Sequence, residues 1–104
     1  MKNKGIDIVG EQGQPIIAAA SGKVVYSGTG LVGMGKLIII NHSTQYLSAY
    51  AHNDEILVTE GQQVKKGEMI ARMGRSGADR VMLHFQIRRE GKPVDPMRFL
   101  SAKE

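Results

Sequence analysis

The amino-acid sequence predicts an all-β fold. Three observations lead to this prediction: the chain contains 13 glycines, its apolar runs are short, and no long segment repeats its apolar residues at the period of a helix. With 104 residues the chain has the size of one domain built around one core. We therefore expect residues 1–104 to form a single all-β domain.

Charge and composition limit the kinds of partner and site. The net charge is +4, which suits an ordinary solvated face, an acidic cell-wall polymer or an acidic protein patch. Nucleic acid is disfavoured, because no recognition helix is predicted and only two Phe and three Tyr are present for base stacking. The chain has no cysteine, so a metal would need His, Asp or Glu ligands. No apolar run approaches the roughly 20 residues of a membrane span.

The N-terminal part of the chain predicts strands and glycine turns. Residues 5–9 alternate apolar and polar side chains and form the first predicted strand. Residues 15–20 and 23–28 have the pattern of two strands joined by a tight glycine turn. Residues 29–35 hold three glycines but lack the Lys-Ser/Thr ending of a phosphate loop and precede a strand. They predict a flexible loop at the rim of the sheet.

The middle and the end of the chain predict a buried hairpin, a turn-rich segment and a closing helical turn. Residues 37–42 form the unbroken apolar run of a buried strand, and residues 46–52 are its expected hairpin partner. Residues 61–74 have a cadence of valine, glycine and isoleucine that also occurs in carrier domains of the barrel-sandwich kind. Residues 95–100 begin with Asp and Pro, which favours one short turn of helix.

The candidate site is organised around residues 82–88, an alternating run that predicts a strand. Side chains two residues apart in a strand share a face. Met82, His84 and Gln86 should therefore lie together on one side, and the apolar residues between them should face the core.

Three fragments together resemble the active-site motifs of the lysostaphin-like zinc metallopeptidases, the LytM or M23 family: residues 3–8 (NKGIDI), residues 50–52 (YAH) and residues 82–84 (MLH). That family has His-x-x-x-Asp in the first motif, a lone His in the second and His-x-His in the third. The resemblance implies a LytM-like β-sheet sandwich related to barrel-sandwich hybrid folds. Because family members usually begin with a further strand, it also implies that the domain is truncated at its N-terminus.

The resemblance implies a degenerate active site. The zinc ligands of the family stand at the positions of Asn3, Asp7 and His84, and two further histidines that act on the water and the oxyanion stand at the positions of His52 and Met82. An amide is a poor zinc ligand, and a methionine can neither donate a hydrogen bond nor accept a proton. We therefore expect no catalytic residue, no tightly bound zinc and no other cofactor.

Within the family, loss of zinc ligands is typical of the activators of cell-wall amidases, and this sequence looks closest to the NlpD type. The resemblance implies a non-enzymatic activator that binds a zinc-dependent N-acetylmuramoyl-L-alanine amidase in cell separation. It implies a bacterial periplasmic location, with an upstream region as the outer-membrane anchor. The expected partner-binding groove consists of Asn3, Asp7, Tyr50, His52, Met82, His84 and Gln86. Two alternatives stay open: a non-catalytic peptidoglycan-binding module, and an active zinc endopeptidase with another ligand in place of Asn3.

Overall fold

A computed structural model describes residues 5–90 and 92–94. This part of the chain consists of strands, turns and loops, and every strand pair in it is antiparallel. The prediction of an all-β fold is confirmed. The helical turn predicted at residues 95–100 and the site residue Asn3 lie outside the described residues. Within those residues, no helix is long and apolar enough to cross a membrane. The strands are β1 (Ile6–Val9), β2 (Pro15–Ile17), β3 (Gly22–Gly28), β4 (Lys36–Asn41), β5 (Tyr46–Ile56), β6 (Gln63–Val64), β7 (Met69–Met73), β8 (Met82–Arg89) and β9 (Lys92–Val94).

The main sheet has the strand order β1-β8-β5-β4-β3-β6. The predicted hairpin of β4 and β5 is present, with Ile39 opposite Ala49. β8 runs along the other side of β5, and it pairs with β1 through its first half and with β9 through its second half. The strand that carries His84 is therefore flanked on both sides by hydrogen-bonded neighbours.

Strand β5 connects two parts of the fold. Its first half lies between β4 and β8, and its second half pairs with β7. The register shifts between Asn53 and Glu55, where the strand changes partners. His52, just before this shift, has φ 70, which is the left-handed region that residues other than glycine rarely adopt. β5 therefore changes its pairing partner next to His52, which the sequence had placed in the site.

The core lies between the main sheet and the β2–β7 pair. Ile38, Ile40 and Phe85 from the main sheet form one buried cluster with Ile16 and Ile70 from the pair. A strand pair that covers one face of a sheet buries that face and leaves the other to solvent. The uncovered face of β8 is where the polar residues of the candidate site emerge.

The predicted hairpin between residues 15–20 and 23–28 is wrong. Strand β2 pairs with β7, with Ile16 opposite Ala71, whereas β3 pairs with β4 and β6. The amide of Ala18 donates to the carbonyl of Glu68 at 2.9 Å, so the contact between the two segments continues one residue beyond the paired strands. β3 begins at Gly22, and this position needs glycine because a Cβ there would lie 2.4 Å from the carbonyl oxygen of Asn41.

Candidate functional site

Asp7 and His84 form the centre of the site because β1 and β8 place them directly opposite each other. His84 Nδ1 lies 2.5 Å from Asp7 Oδ1. A carboxylate can only accept a hydrogen bond, so the ring donates through Nδ1–H. The side chain of Asp7 is 54% exposed, which leaves part of the carboxylate open to a binding partner.

The second ring nitrogen of His84 is also engaged. Gln86 Nε2 lies 2.9 Å from His84 Nε2, and the Nε of Arg88 donates to Gln86 Oε1 at 3.4 Å. The contact with Arg88 assigns the oxygen end of the amide to the guanidinium, so the amide nitrogen donates to the imidazole. The result is one hydrogen-bond chain that runs from Arg88 through Gln86 and His84 to Asp7, in which His84 donates through Nδ1–H and accepts at Nε2.

Gln86 lies on the predicted face of β8 but is only 4% exposed. The alternation of residues 82–88 thus correctly predicted which side of the strand Gln86 faces, but residues on that side differ in burial. Gly5, which has room only for a hydrogen, lies against the Gln86 side chain and helps to cover it. Its amide acts behind His84 and is not a surface contact.

His52 reaches the site through its unusual backbone. Alternation along β5 would direct it to the same side as Tyr50, but the positive φ turns it towards β8. Its ring centroid lies 6.2 Å from that of His84, at an interplanar angle of 58°. His52 Nδ1 lies 2.7 Å from the carbonyl oxygen of Ser76, so the ring donates there and directs Nε2 away from that loop.

Hydrogen bonds between two loops, which we call the loop clamp, hold His52; no motif in the sequence predicted them. The backbone amide of His52 donates to the carbonyl of Met34 at 2.9 Å. Ser76 Oγ donates to the carbonyl of Asn53 at 2.6 Å and accepts from the amide of Lys36 at 3.0 Å. The β3–β4 loop and the β7–β8 loop are thereby fastened to each other around His52. The only sequence signal was the presence of glycines at positions 35 and 77, where the two backbones touch.

Tyr50 does not line the site, and the expectation that it would do so is corrected. Its register partners are Ile38 and Phe85, its ring packs in the core, and it is only 1% exposed. Its hydroxyl accepts from the amide of Ala19 at 2.9 Å and from Ser48 Oγ at 2.8 Å. Burial raises the pKa of Tyr50 above its usual 10.0, although both hydrogen bonds act in the opposite direction. On this side of β8 it borders a separate apolar groove of about 310 Å³.

His42 has a structural role, because both of its ring nitrogens contact other parts of the fold. His42 Nδ1 lies 2.7 Å from the carbonyl oxygen of Ser21, and Nε2 lies 2.7 Å from Ser48 Oγ. Ser48 in turn contacts Tyr50, so His42 belongs to a polar network that connects the end of β4 to the core. This network is separate from the contacts of His84.

Met82 is half-buried at the start of β8, on the same face as His84. It lies opposite Val9 of β1, and its amide donates to the carbonyl of Gly74 at 3.0 Å. Val9 is 65% exposed, so the two side chains form an apolar end to an otherwise polar face. A thioether at this place provides soft contact area and no proton.

The metal-binding groups of the site differ from those of a catalytic zinc. Such a zinc takes three protein ligands and one water. Within residues 5–90 and 92–94, no three His, Cys, Asp or Glu side chains converge on one point. Asp7 and His84 supply two donors that bond to each other, and Met82 supplies none. These residues do not fit a three-ligand zinc site.

Comparisons with known proteins identify the family. Residues 1–96 match Peptidase family M23. The chain is 62% identical over 98 residues to a lipoprotein NlpD/LppB homolog of Pseudomonas aeruginosa and 59% identical over 98 residues to the murein hydrolase activator NlpD of Escherichia coli. Each alignment covers 94% of this chain but only 33% and 26% of the relative.

Solved structures agree with this assignment. The catalytic domain of the antimicrobial peptidase lysostaphin from Staphylococcus simulans superposes with a TM-score of 0.90 at 29% identity, over 96% of this chain and 80% of that one. An M23 peptidase structure from Pseudomonas aeruginosa gives a TM-score of 0.90 at 31% identity, over 97% of this chain and 44% of that one. With its fold, its motif positions and its relatives in agreement, the chain belongs to peptidase family M23, and the resemblance proposed from the sequence is confirmed.

Proposed function

We propose that this chain is a non-enzymatic activator of a peptidoglycan hydrolase, and that the hydrolase is a zinc-dependent N-acetylmuramoyl-L-alanine amidase. The observation that carries the proposal is the hydrogen-bond chain in which both ring nitrogens of His84 are engaged, one by Asp7 and one by Gln86. The relative in Escherichia coli that is named a murein hydrolase activator supports the same conclusion.

Two positions of this chain lack the groups that hydrolysis needs, one as a metal ligand and one as a hydrogen-bond donor. Metal affinity depends on the number of deprotonated ligands, and position 3 offers a neutral amide. Removal of one group that stabilises the oxyanion typically lowers the rate by about 10²–10³-fold, and Met82 is such a loss because its thioether cannot donate a hydrogen bond. A metal defect and a donor defect together leave no efficient route to peptide hydrolysis.

The proposed binding face is the uncovered face of β8 with its neighbours. Asp7 offers carboxylate oxygen, and Met82 with Val9 offers apolar area. The ring of His52 lies beside that of His84 but is only 6% exposed, so it supports the face from within. Gln86 supports His84 from behind, and Tyr50 is removed from the set because it is buried. The residues proposed for the face are Asn3, Asp7, Met82 and His84, with the buried His52 and Gln86 holding His84 and its surroundings in place.

Activation by such a face is a population shift. A hydrolase that exchanges between a closed and an open state becomes active when its activator binds the open state more tightly. To convert a 1:99 population to 99:1, the ratio of the two affinities must be about 10⁴. The face therefore has to bind a segment that is available only in the open enzyme.

Dye release from labelled peptidoglycan tests the proposal. This chain, a candidate amidase and their mixture are compared at equal concentrations. We expect release above the level of the amidase only in the mixture. Release by the chain without the amidase, abolished by a chelator, would instead support a zinc endopeptidase. No gain in the mixture, together with sedimentation of the chain on peptidoglycan, would support a wall-binding module.

Paired variants locate the binding face. Asp7→Asn removes the carboxylate charge that the face offers to a partner and should abolish activation, whereas Glu60→Gln, an equal change at an exposed turn, should leave it intact. Far-ultraviolet circular dichroism of both variants checks that they fold. Full activation by Asp7→Asn would place the interface elsewhere on the molecule.

We also propose that the chain acts in the bacterial cell envelope, on the periplasmic side, during cell separation. The curated relatives from Pseudomonas aeruginosa and Haemophilus influenzae are named lipoproteins, and the latter is named an outer membrane protein. Fractionation of cells that produce the full-length protein tests this location, and recovery of the protein from the cytoplasm would contradict it.

A further inference from the structure

The tip of the β3–β4 loop exposes two aliphatic side chains next to the site. Val32 is fully exposed and Leu31 is 48% exposed. Exposed single apolar residues are common, but two adjacent ones at a loop tip form a projecting apolar surface. We call Leu31 and Val32 the apolar tip.

The apolar tip is held in place from both sides. Before it, the amide of Gly30 donates to the hydroxyl of Tyr26 at 2.6 Å. After it, the amide of Met34 donates back to the carbonyl of Leu31 at 3.3 Å, and the carbonyl of Met34 accepts from the amide of His52. The sequence predicted a flexible loop here, and these contacts restrain the two ends of that loop. A surface whose ends are held loses less conformational entropy when it binds than a free loop does.

The apolar tip lies at the rim of the proposed binding face. Met34, two residues beyond Val32, bonds directly to the backbone of His52, whose ring faces His84. Gly35 touches Ser76, so the neighbouring loop supports the same rim. The loop that carries the tip therefore borders the part of the proposed face in which His52 lies.

We propose that the apolar tip is a second contact for the partner hydrolase and inserts into an apolar pocket on that enzyme. This inference rests on the proposed function and adds a contact outside the groove itself. The charges of the rim favour a protein partner over an anionic membrane: the exposed cations Lys36, Arg75 and Arg80 are largely balanced by Asp54 and Asp79. A membrane-inserting tip requires a surplus of cations near the lipid surface.

The experiment measures both binding and activation for one matched pair of variants. Val32→Asp places a charge at the tip, and Val25→Asp places the same charge on an exposed position of β3 away from the site. Binding of each variant to the candidate amidase is measured by titration calorimetry, and the concentration for half-maximal activation is measured by dye release. Loss of a buried Val side chain and desolvation of a carboxylate should weaken binding by about 10-fold to 100-fold.

We expect Val32→Asp to raise the dissociation constant and the half-maximal concentration together, and Val25→Asp to leave both unchanged. Equal values for Val32→Asp and the unaltered chain would overturn the inference. Binding without activation by the unaltered chain would refute the proposed function, while the comparison of the two variants would still decide the role of the tip. Absence of any binding would refute both. Capture of the unaltered chain, but not Val32→Asp, by phosphatidylglycerol vesicles would assign the tip to a membrane and overturn the proposal.

Discussion

Replacement of Tyr50 by Phe should destabilise the domain and leave its partner contacts unchanged. The substitution removes one oxygen, which accepts hydrogen bonds from the amide of Ala19 and from Ser48 Oγ at 2.9 and 2.8 Å. The aromatic ring that packs near Phe85, with centroids 5.4 Å apart, is retained. Because both contacts are buried or partly buried, their loss should lower the free energy of unfolding by about 1–3 kcal/mol.

Urea unfolding monitored by circular dichroism measures this change. For domains of 60–100 residues, each 1 kcal/mol corresponds to about 4–8 °C in melting temperature, so thermal scans provide a second readout. Amidase activation by Tyr50→Phe, assayed below its unfolding transition, should equal that of the unaltered chain. A stable variant that fails to activate would show that Tyr50 belongs to the interface after all, and the assignment to the core would be refuted.

The raised pKa of Tyr50 adds a pH dependence with a definite sign. Burial favours the neutral phenol, so the folded-state pKa lies above the unfolded value of about 10.0. The stability that results is fully present below that value and is lost as the pH rises through the folded-state pKa. The difference in free energy of unfolding between the unaltered chain and Tyr50→Phe should therefore become smaller as the pH rises above about 10. A constant difference over that range would contradict the assignment.

Three further substitutions test the loop clamp, the strained backbone and the hydrogen-bond chain. Gly33→Ala should lower the free energy of unfolding by about 1–2 kcal/mol, because its φ is positive. Gly35→Ala should lower it considerably more, because a Cβ there would also lie 2.2 Å from the backbone oxygen of Ser76. His52→Gly should be more stable than His52→Ala by about 1 kcal/mol, because both lose the buried ring and its hydrogen bond but only glycine relieves the left-handed backbone. Gln86→Leu should mix the two tautomers of His84, which nitrogen-15 NMR of the ring distinguishes.

Each of these predictions has an internal control. Similar losses for Gly35→Ala and Gly33→Ala would mean that the two loops separate without cost. His52→Ala should be less stable than His52→Gly, and the reverse order would contradict the left-handed backbone. A single unchanged His84 tautomer in Gln86→Leu would show that Asp7 alone orients the ring.

Local patterns in the sequence predicted the parts of this protein that depend on period and composition. The alternation of residues 82–88 correctly separated the face of His84 from the core, because side chains in a strand alternate whatever the neighbours are. The inability of Met82 to donate a hydrogen bond or accept a proton was likewise visible in the sequence, since the chemistry of a thioether does not depend on the fold. The order and spacing of the three motifs were enough to identify the family.

The remaining features depend on contacts between distant parts of the chain. The pairing of β2 with β7 and the clamp of Ser76 join residues that no local pattern relates. One residue with positive φ exchanges the faces of a strand, and for this reason His52 reaches the site while Tyr50 lies in the core. Sequence alternation thus predicted the strands, whereas the register between strands and the left-handed backbone of His52 determined which side chains meet.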